Sequence, residues 1–397
     1  MTAPAQSENI GVTAAAGFRA AGVTAGLKQS GKPDLALVVN DGPIRAAAAV
    51  TTSNRVFAAP VKWTRQAVAG GEIDAVVLNS GGANACTGIP GYADTVATAE
   101  YVAAALGTGS ERVAVCSTGL IGERLNMPLL LGGIDGAVDA LTVTGGEDAA
   151  HAIMTTDTVP KTVTITANGP GGASFTVAGM AKGAGMLAPG LATMLVVLTT
   201  DAVATAAELD TALKAATRVT FDRLDSDGAM STNDTVLLLA SGASGTEPGP
   251  QVLTQAVTMV CDQLAEALMA DAEGSTKDIE IEVRRAATED DAVQVGRAVA
   301  RNNLVKTAFF GGDPNWGRIL AAVGTTTAAF DADELDVAIN DVWICRGGSV
   351  GDDRSLVDLT GRLAHVVIDL KAGGATATIR TNDLSHGYVH ENSAYST

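Results

Sequence analysis

The run Lys182-Gly183-Ala184-Gly185-Met186-Leu187-Ala188-Pro189-Gly190-Leu191-Ala192-Thr193 constrains this chain more than any other stretch. Its glycines open backbone angles that other residues avoid, and Pro189 prevents a helix from running through it. Directly after it, Met194-Leu195-Val196-Val197-Leu198 reads as a buried strand. A turn-rich loop must therefore deliver a threonine to the start of a core strand. Two readings follow. Thr193 is either the first residue of an ordinary strand after an ordinary turn, or a nucleophile released by cutting the bond to Ala192. The second has chemical sense. A threonine hydroxyl needs a base, and cleavage would supply the residue's own α-amine, whose pKa of about 7.7 to 8.0 leaves a useful fraction neutral at pH 7. The small Ala192 leaves the bond open to attack.

At 397 residues the chain exceeds what one core commonly supports, so two domains or one large layered unit are expected. Aromatic residues are only 4% and glycines number 45, which fits an α/β enzyme with many tight turns. The net charge of −18 argues against nonspecific binding to nucleic acid, which needs clustered Lys and Arg. An anionic substrate would need local cations or backbone amides. Cys86, Cys116, Cys261 and Cys345 are too widely spaced for a disulfide scaffold or a zinc pair, and read as reduced, structural thiols. Residues Met1 to Glu8 lack a basic region followed by an apolar block, and no run reaches the roughly 18 apolar residues of a membrane span. A cytoplasmic protein is expected.

Periodicity predicts several elements. Lys161 to Met180 reads as a hairpin turning at Asn168-Gly169-Pro170-Gly171-Gly172. Leu253, Val257, Val260, Leu264 and Leu268 mark a long helix over Val252 to Ala272, with Glu273-Gly274 expected to end it. Asp278 to Val283 alternates like a strand, Thr288 opens another helix, and strands follow at Leu363 to Leu370 and Ala375 to Arg380. A polar tail begins at Thr381. No proline- or serine-rich linker divides the chain, so fragments 1–192 and 193–397 would stay co-folded.

Acyl transfer through Thr193 requires donors aimed at the oxygen that becomes negative. Thr118-Gly119 is the candidate, because the apolar run Val113 to Cys116 ends there in a polar, glycine-containing turn. An ordinary strand-ending turn is the alternative. Lys182 could hold a substrate carboxylate or orient the nucleophile, or simply be a solvated charge. Thr155 and Thr156 could contact substrate or cap a turn. Glu273 suits an ammonium group, or is a solvated acid at a helix end. No cofactor or metal motif survives inspection. Gly26-Leu27-Lys28-Gln29-Ser30-Gly31-Lys32 lacks the final hydroxyl of a phosphate loop, since Pro33 stands there. Asp225-Ser226-Asp227-Gly228 has its glycine misplaced for a calcium loop, and no histidine pair flanks a catalytic glutamate.

The loop and strand from Lys182 to Ala202 resemble the processing-site signature of the ornithine acetyltransferase (glutamate N-acetyltransferase) family. So do Asn79 to Gly88, Cys116 to Gly122, Met154 to Asp157, Ser231 to Thr235, Asp271 to Gly274, Asp313 to Arg318 and Glu391 to Ser396, in the family's order along nearly the whole chain. The resemblance implies an α/β fold of layered sheets and helices, a cut between Ala192 and Thr193, and two interleaved chains in a heterotetramer of two α and two β. It implies a Thr193 nucleophile, a Thr118 and Gly119 oxyanion hole, and substrate contacts at Thr155, Lys182, Thr193, Glu273, Asn392 and Thr397. The implied reaction moves acetyl from N-acetylornithine to glutamate in arginine biosynthesis by ping-pong chemistry, without a cofactor. Some family members also accept acetyl-CoA as donor. An amidase or aminopeptidase on the same self-processing fold, with water as acceptor, is the alternative. An uncleaved small-molecule binding protein is a second.

Overall fold

A computed structural model describes residues 10–186 and 194–394, so the sequence-predicted Ala192, Thr193 and Thr397 lie outside the described residues. Two sheets stack at its centre. The first runs Phe18–Val23, Leu35–Asn40, Ala75–Asn79, Val113–Ser117. The second runs Ala47–Thr51, Thr235–Ala240, Leu195–Thr200, Ser174–Lys182, Lys161–Asn168. Strand alternation explains the stacking, since successive side chains point to opposite faces. Leu195 and Val197 join Val76 and Leu78 of the first sheet in one buried cluster. Val196 and Leu198 face the other way, into a cluster with Leu213 and Leu264 of helices Ala206–Val219 and Pro250–Ala270. On the far side of the first sheet, Ala75 and Val77 pack with Val102 and Ile134 of helices Gly88–Leu106 and Met127–Asp139. The result is helix, sheet, sheet, helix, as a layered α/β fold requires.

A third, six-stranded sheet carries Asp278–Ala286 between Leu363–Asp369 and Ala375–Asn382. Helix Glu289–Ala300 packs on it through Val295 and Val299. Its start is fixed as expected, with the Thr288 hydroxyl accepting from the Asp291 amide at 3.1 Å. The predicted hairpin, the long helix and the late strands are all present.

Two expectations need correction. The long helix stops at Ala270 with Asp271 as its cap, short of Glu273-Gly274. Gly274 has φ +60, and a Cβ there would sit 2.2 Å from the Tyr388 amide nitrogen, so the glycine admits the passing C-terminal segment instead. Of the cysteines, Cys116, Cys261 and Cys345 are buried thiols, but Cys86 is exposed and has no place in the core. Among the described residues no helix is long and apolar enough to cross a membrane.

Pairing positions the site. Lys182 lies opposite Leu195 in the antiparallel pair, and Leu195 opposite Thr235 in the parallel one. Both described flanks of the glycine-rich segment thus meet at one end of the second sheet, near the end of Val113–Ser117 in the first.

Candidate active site

Thr118, Gly119, Thr155, Lys182, Glu273 and Asn392 line one cavity of about 280 Å³. Every described residue that the sequence singles out for substrate or oxyanion is therefore in one place, although they span the chain. A larger cleft, of about 930 Å³ beside Arg45 and Arg112, contains none of them.

Thr118 follows the strand Val113–Ser117 and is 3% exposed. Its position is held twice over: the Gly82 amide donates to its carbonyl at 3.0 Å, and its own amide donates to the Asn79 carbonyl at 3.0 Å. Gly119 has φ +131, and a Cβ would lie 2.8 Å from the Gly82 nitrogen, so only glycine lets the turn pass this close. Asn233 braces the same turn, donating through Nδ2 to the Ser117 carbonyl at 2.8 Å and the Ala83 carbonyl at 2.6 Å.

Lys182 ends the strand Ser174–Lys182 and is 1% exposed, which removes the solvated-charge reading. Its Nζ donates to Thr118 Oγ1 at 3.3 Å. An ammonium cannot accept a hydrogen bond. The hydroxyl hydrogen of Thr118 is consequently free to point elsewhere, as an oxyanion donor needs. Burial lowers the Lys182 pKa, while Asp157 opposes that shift.

Glu273 is also buried, at 8% exposure, and its amide donates to the Ala184 carbonyl at 2.9 Å. A Cβ on Gly185 would stand 2.6 Å from Glu273 Oε2, so the loop's second glycine exists to let this carboxylate approach. Asn392, on the helix His386–Ala394, donates through Nδ2 to Glu273 Oε2 at 2.9 Å. The polar tail is thus tied to the cavity. Thr155 sits at the rim, its amide donating to Asp157 Oδ2 at 2.9 Å.

Sequence reasoning misses several contributors. Asp227, part of the segment that fails as a calcium loop, accepts from the Met186 amide at 2.7 Å and lines the cavity with Tyr388. Lys28, of the rejected phosphate loop, donates to the Met154 carbonyl at 2.6 Å and so holds the segment bearing Thr155. Asp234 is fully buried and accepts from the Met194 amide at 3.1 Å. Burial pushes its pKa up, against the Met194 amide that favours the charged form. Asp157 and Asp234 stand in the motifs Met154 to Asp157 and Ser231 to Thr235, which are the available signal.

The chain is similar to known proteins along nearly its whole length. The model of the ArgJ family matches residues 19–397. The arginine biosynthesis bifunctional protein ArgJ of Streptomyces coelicolor is 64% identical over 97% of this chain and 100% of its own length. The protein of the same name from Thermobifida fusca is 61% identical over the same shares. A solved chain of the ornithine acetyltransferase of Mycobacterium tuberculosis, complexed with ornithine, is 58% identical, covering 47% of this chain and 97% of that one with a TM-score of 0.44. With a family match across nearly its whole length and relatives this similar end to end, the chain belongs to the ArgJ family.

Proposed function

We propose that this enzyme moves the acetyl group of N2-acetyl-L-ornithine to L-glutamate through an acetyl-enzyme on Thr193, after cutting its own chain between Ala192 and Thr193. One observation carries the reading. The cavity that gathers Thr118, Gly119, Lys182, Glu273 and Asn392 also has Met186 in its wall, and Met194 is anchored at the end of the same sheet. The glycine-rich segment is thus held at both flanks beside Thr118 and Gly119.

In the proposed reaction the Thr193 hydroxyl attacks the acetyl carbonyl, and its proton passes to the freed α-amine of the same residue. The oxygen becomes negative and accepts from the Thr118 hydroxyl and the Gly119 amide. Collapse of this intermediate breaks the C–N bond, and the amine returns the proton to the departing ornithine nitrogen. Glutamate's amine then attacks the acetyl ester and releases Thr193 in its starting form. Glu273 and Asn392 would receive the ornithine ammonium, while Lys182 and the loop amides offset a net charge of −18 for the anionic acceptor. Fragments 1–192 and 193–397 would remain co-folded, two of each in a cytoplasmic heterotetramer.

The test is incubation of purified protein with acetylornithine and glutamate. N-acetylglutamate with equimolar ornithine is the expected result, and free acetate in its place would favour an amidase. Running the assay with acetyl-CoA decides whether it is a second donor.

Removal of the residues after Val389 tests the tail. Helix His386–Ala394 has no buried residue, so little apolar area is lost and the thermal midpoint should move by only a few degrees. Transfer should fall sharply, because Asn392 goes with it. Wild-type kinetics in the truncated enzyme would show the tail to be irrelevant.

A further inference from the structure

Asp157 belongs to none of the roles assigned so far, yet its carboxylate accepts from three groups around the site. It is buried, with Oδ1 accepting from Lys161 Nζ at 2.7 Å and from the Gly183 amide at 2.7 Å. Its Oδ2 accepts from the Thr155 amide at 2.9 Å. Lys161 is shared with Asp271, at 2.6 Å. One carboxylate therefore fixes the residue after Lys182 and the rim residue Thr155 together. We propose that Asp157 is a positioning residue for acetyl transfer, acting through Lys182: its negative charge holds the Lys182 ammonium against Thr118 Oγ1, which leaves the Thr118 hydroxyl hydrogen aimed at the reacting oxygen.

The electrostatics agree with the geometry. Lys182 is faced by Asp157, Lys161, Asp234 and Glu273, and Lys28 lies within its field. Burial lowers its affinity for a proton, Asp157 and the other acids raise it, and Lys161 lowers it further. Burial pushes the Asp234 pKa up. Asp157 differs. Burial works against its charge, but Lys182, Lys161 and the Gly183 amide outweigh burial and hold its pKa at about 2. It is thus anionic throughout the working range, and Lys182 depends on it. Were Lys182 to lose its proton, it could accept from the Thr118 hydroxyl and turn the oxyanion donor away.

This inference rests on the acetyl-transfer reading, and its test keeps the two apart. Lysine ε-carbons of the full-length protein are labelled, the Lys182 resonance is assigned with Lys182→Arg, and its titration is followed by NMR without substrate. In the wild type that titration should coincide with the alkaline limb of the rate of acetyl-enzyme formation, the acid limb belonging to the Thr193 amine. Asp157→Asn should move the Lys182 titration down by about one pH unit or more. Lys161→Met removes a like charge, and should move it up. Opposite shifts are the signature, because loss of packing alone would weaken both variants without this sign difference. A Lys182 titration that ignores both substitutions overturns the proposal, as does a wild-type alkaline limb that departs from it. Absence of any acetyl transfer in the wild type, with Lys182 still titrating as described, would instead sink the reading on which the inference rests.

Discussion

Thr193→Ala should remain a single polypeptide of 397 residues and make no acetyl-enzyme, while the wild type should resolve by intact mass into residues 1–192 and a second chain beginning at Thr193. The expectation follows from what alanine lacks. Without a hydroxyl there is no N-to-O acyl shift at the Ala192 peptide bond, so no new amino terminus forms. Without that terminus there is neither nucleophile nor base, and both halves of the transfer stop. The loss should be complete within detection, since the substitution removes the group that carries the acetyl. Folding should survive. The strand Leu195–Thr200 is buried throughout, and the Met194 amide before it donates to the Asp234 carboxyl. A fully active wild type recovered as one uncut chain would end the proposal, and so would a cleaved Thr193→Ala.

Part of this site is legible in the amino-acid sequence. The turn at Thr118-Gly119 and the glycine- and proline-bearing loop before Thr193 stand out locally, but local chemistry leaves an ordinary turn open at both, and the family resemblance is what singles them out. Hairpin Lys161–Asn168 with Ser174–Lys182 and helix Pro250–Ala270 follow from periods of two and 3.6. Burial of charge is not legible in this way. Lys182 reaches Thr118 across 64 positions, and Lys161 reaches Asp271 across 110. Only the stacking of the first two sheets and the packing of the long helix bring these partners together. For the same reason a lone lysine and a helix-end acid resemble surface residues in the sequence. The strand Ala47–Thr51 of the second sheet is equally silent, since its run of three alanines suits a helix as well as a buried strand. Asp227 and Lys28 illustrate a further limit: their motifs fail as ion and phosphate loops, yet both side chains fasten backbone around the cavity.

Thr118→Ala should lower the turnover rate by about 10² to 10³, with the Michaelis constant for acetylornithine nearly unchanged. The split has a geometric cause. Thr118 is 3% exposed, and Lys182 Nζ occupies a lone pair of its Oγ1, so the hydroxyl has one hydrogen to give and nothing else to offer a ground-state substrate. A donor that strengthens only as negative charge develops acts on the transition state alone. Its removal should cost roughly 2.7 to 4 kcal/mol of barrier, the usual range for one oxyanion donor in a site closed to water. Gly119 would still give its amide, which is why some activity should persist. Thr118→Ser keeps the hydroxyl and should recover most of the rate, whereas Thr118→Val keeps the shape and should not. Intact mass of each variant separates slow acetyl transfer from failed chain cleavage, because a donor serving both reactions would leave uncut precursor in the preparation. Kinetics measured on the cleaved fraction decide the matter: a raised Michaelis constant with unaltered turnover would move Thr118 from the oxyanion hole to substrate binding.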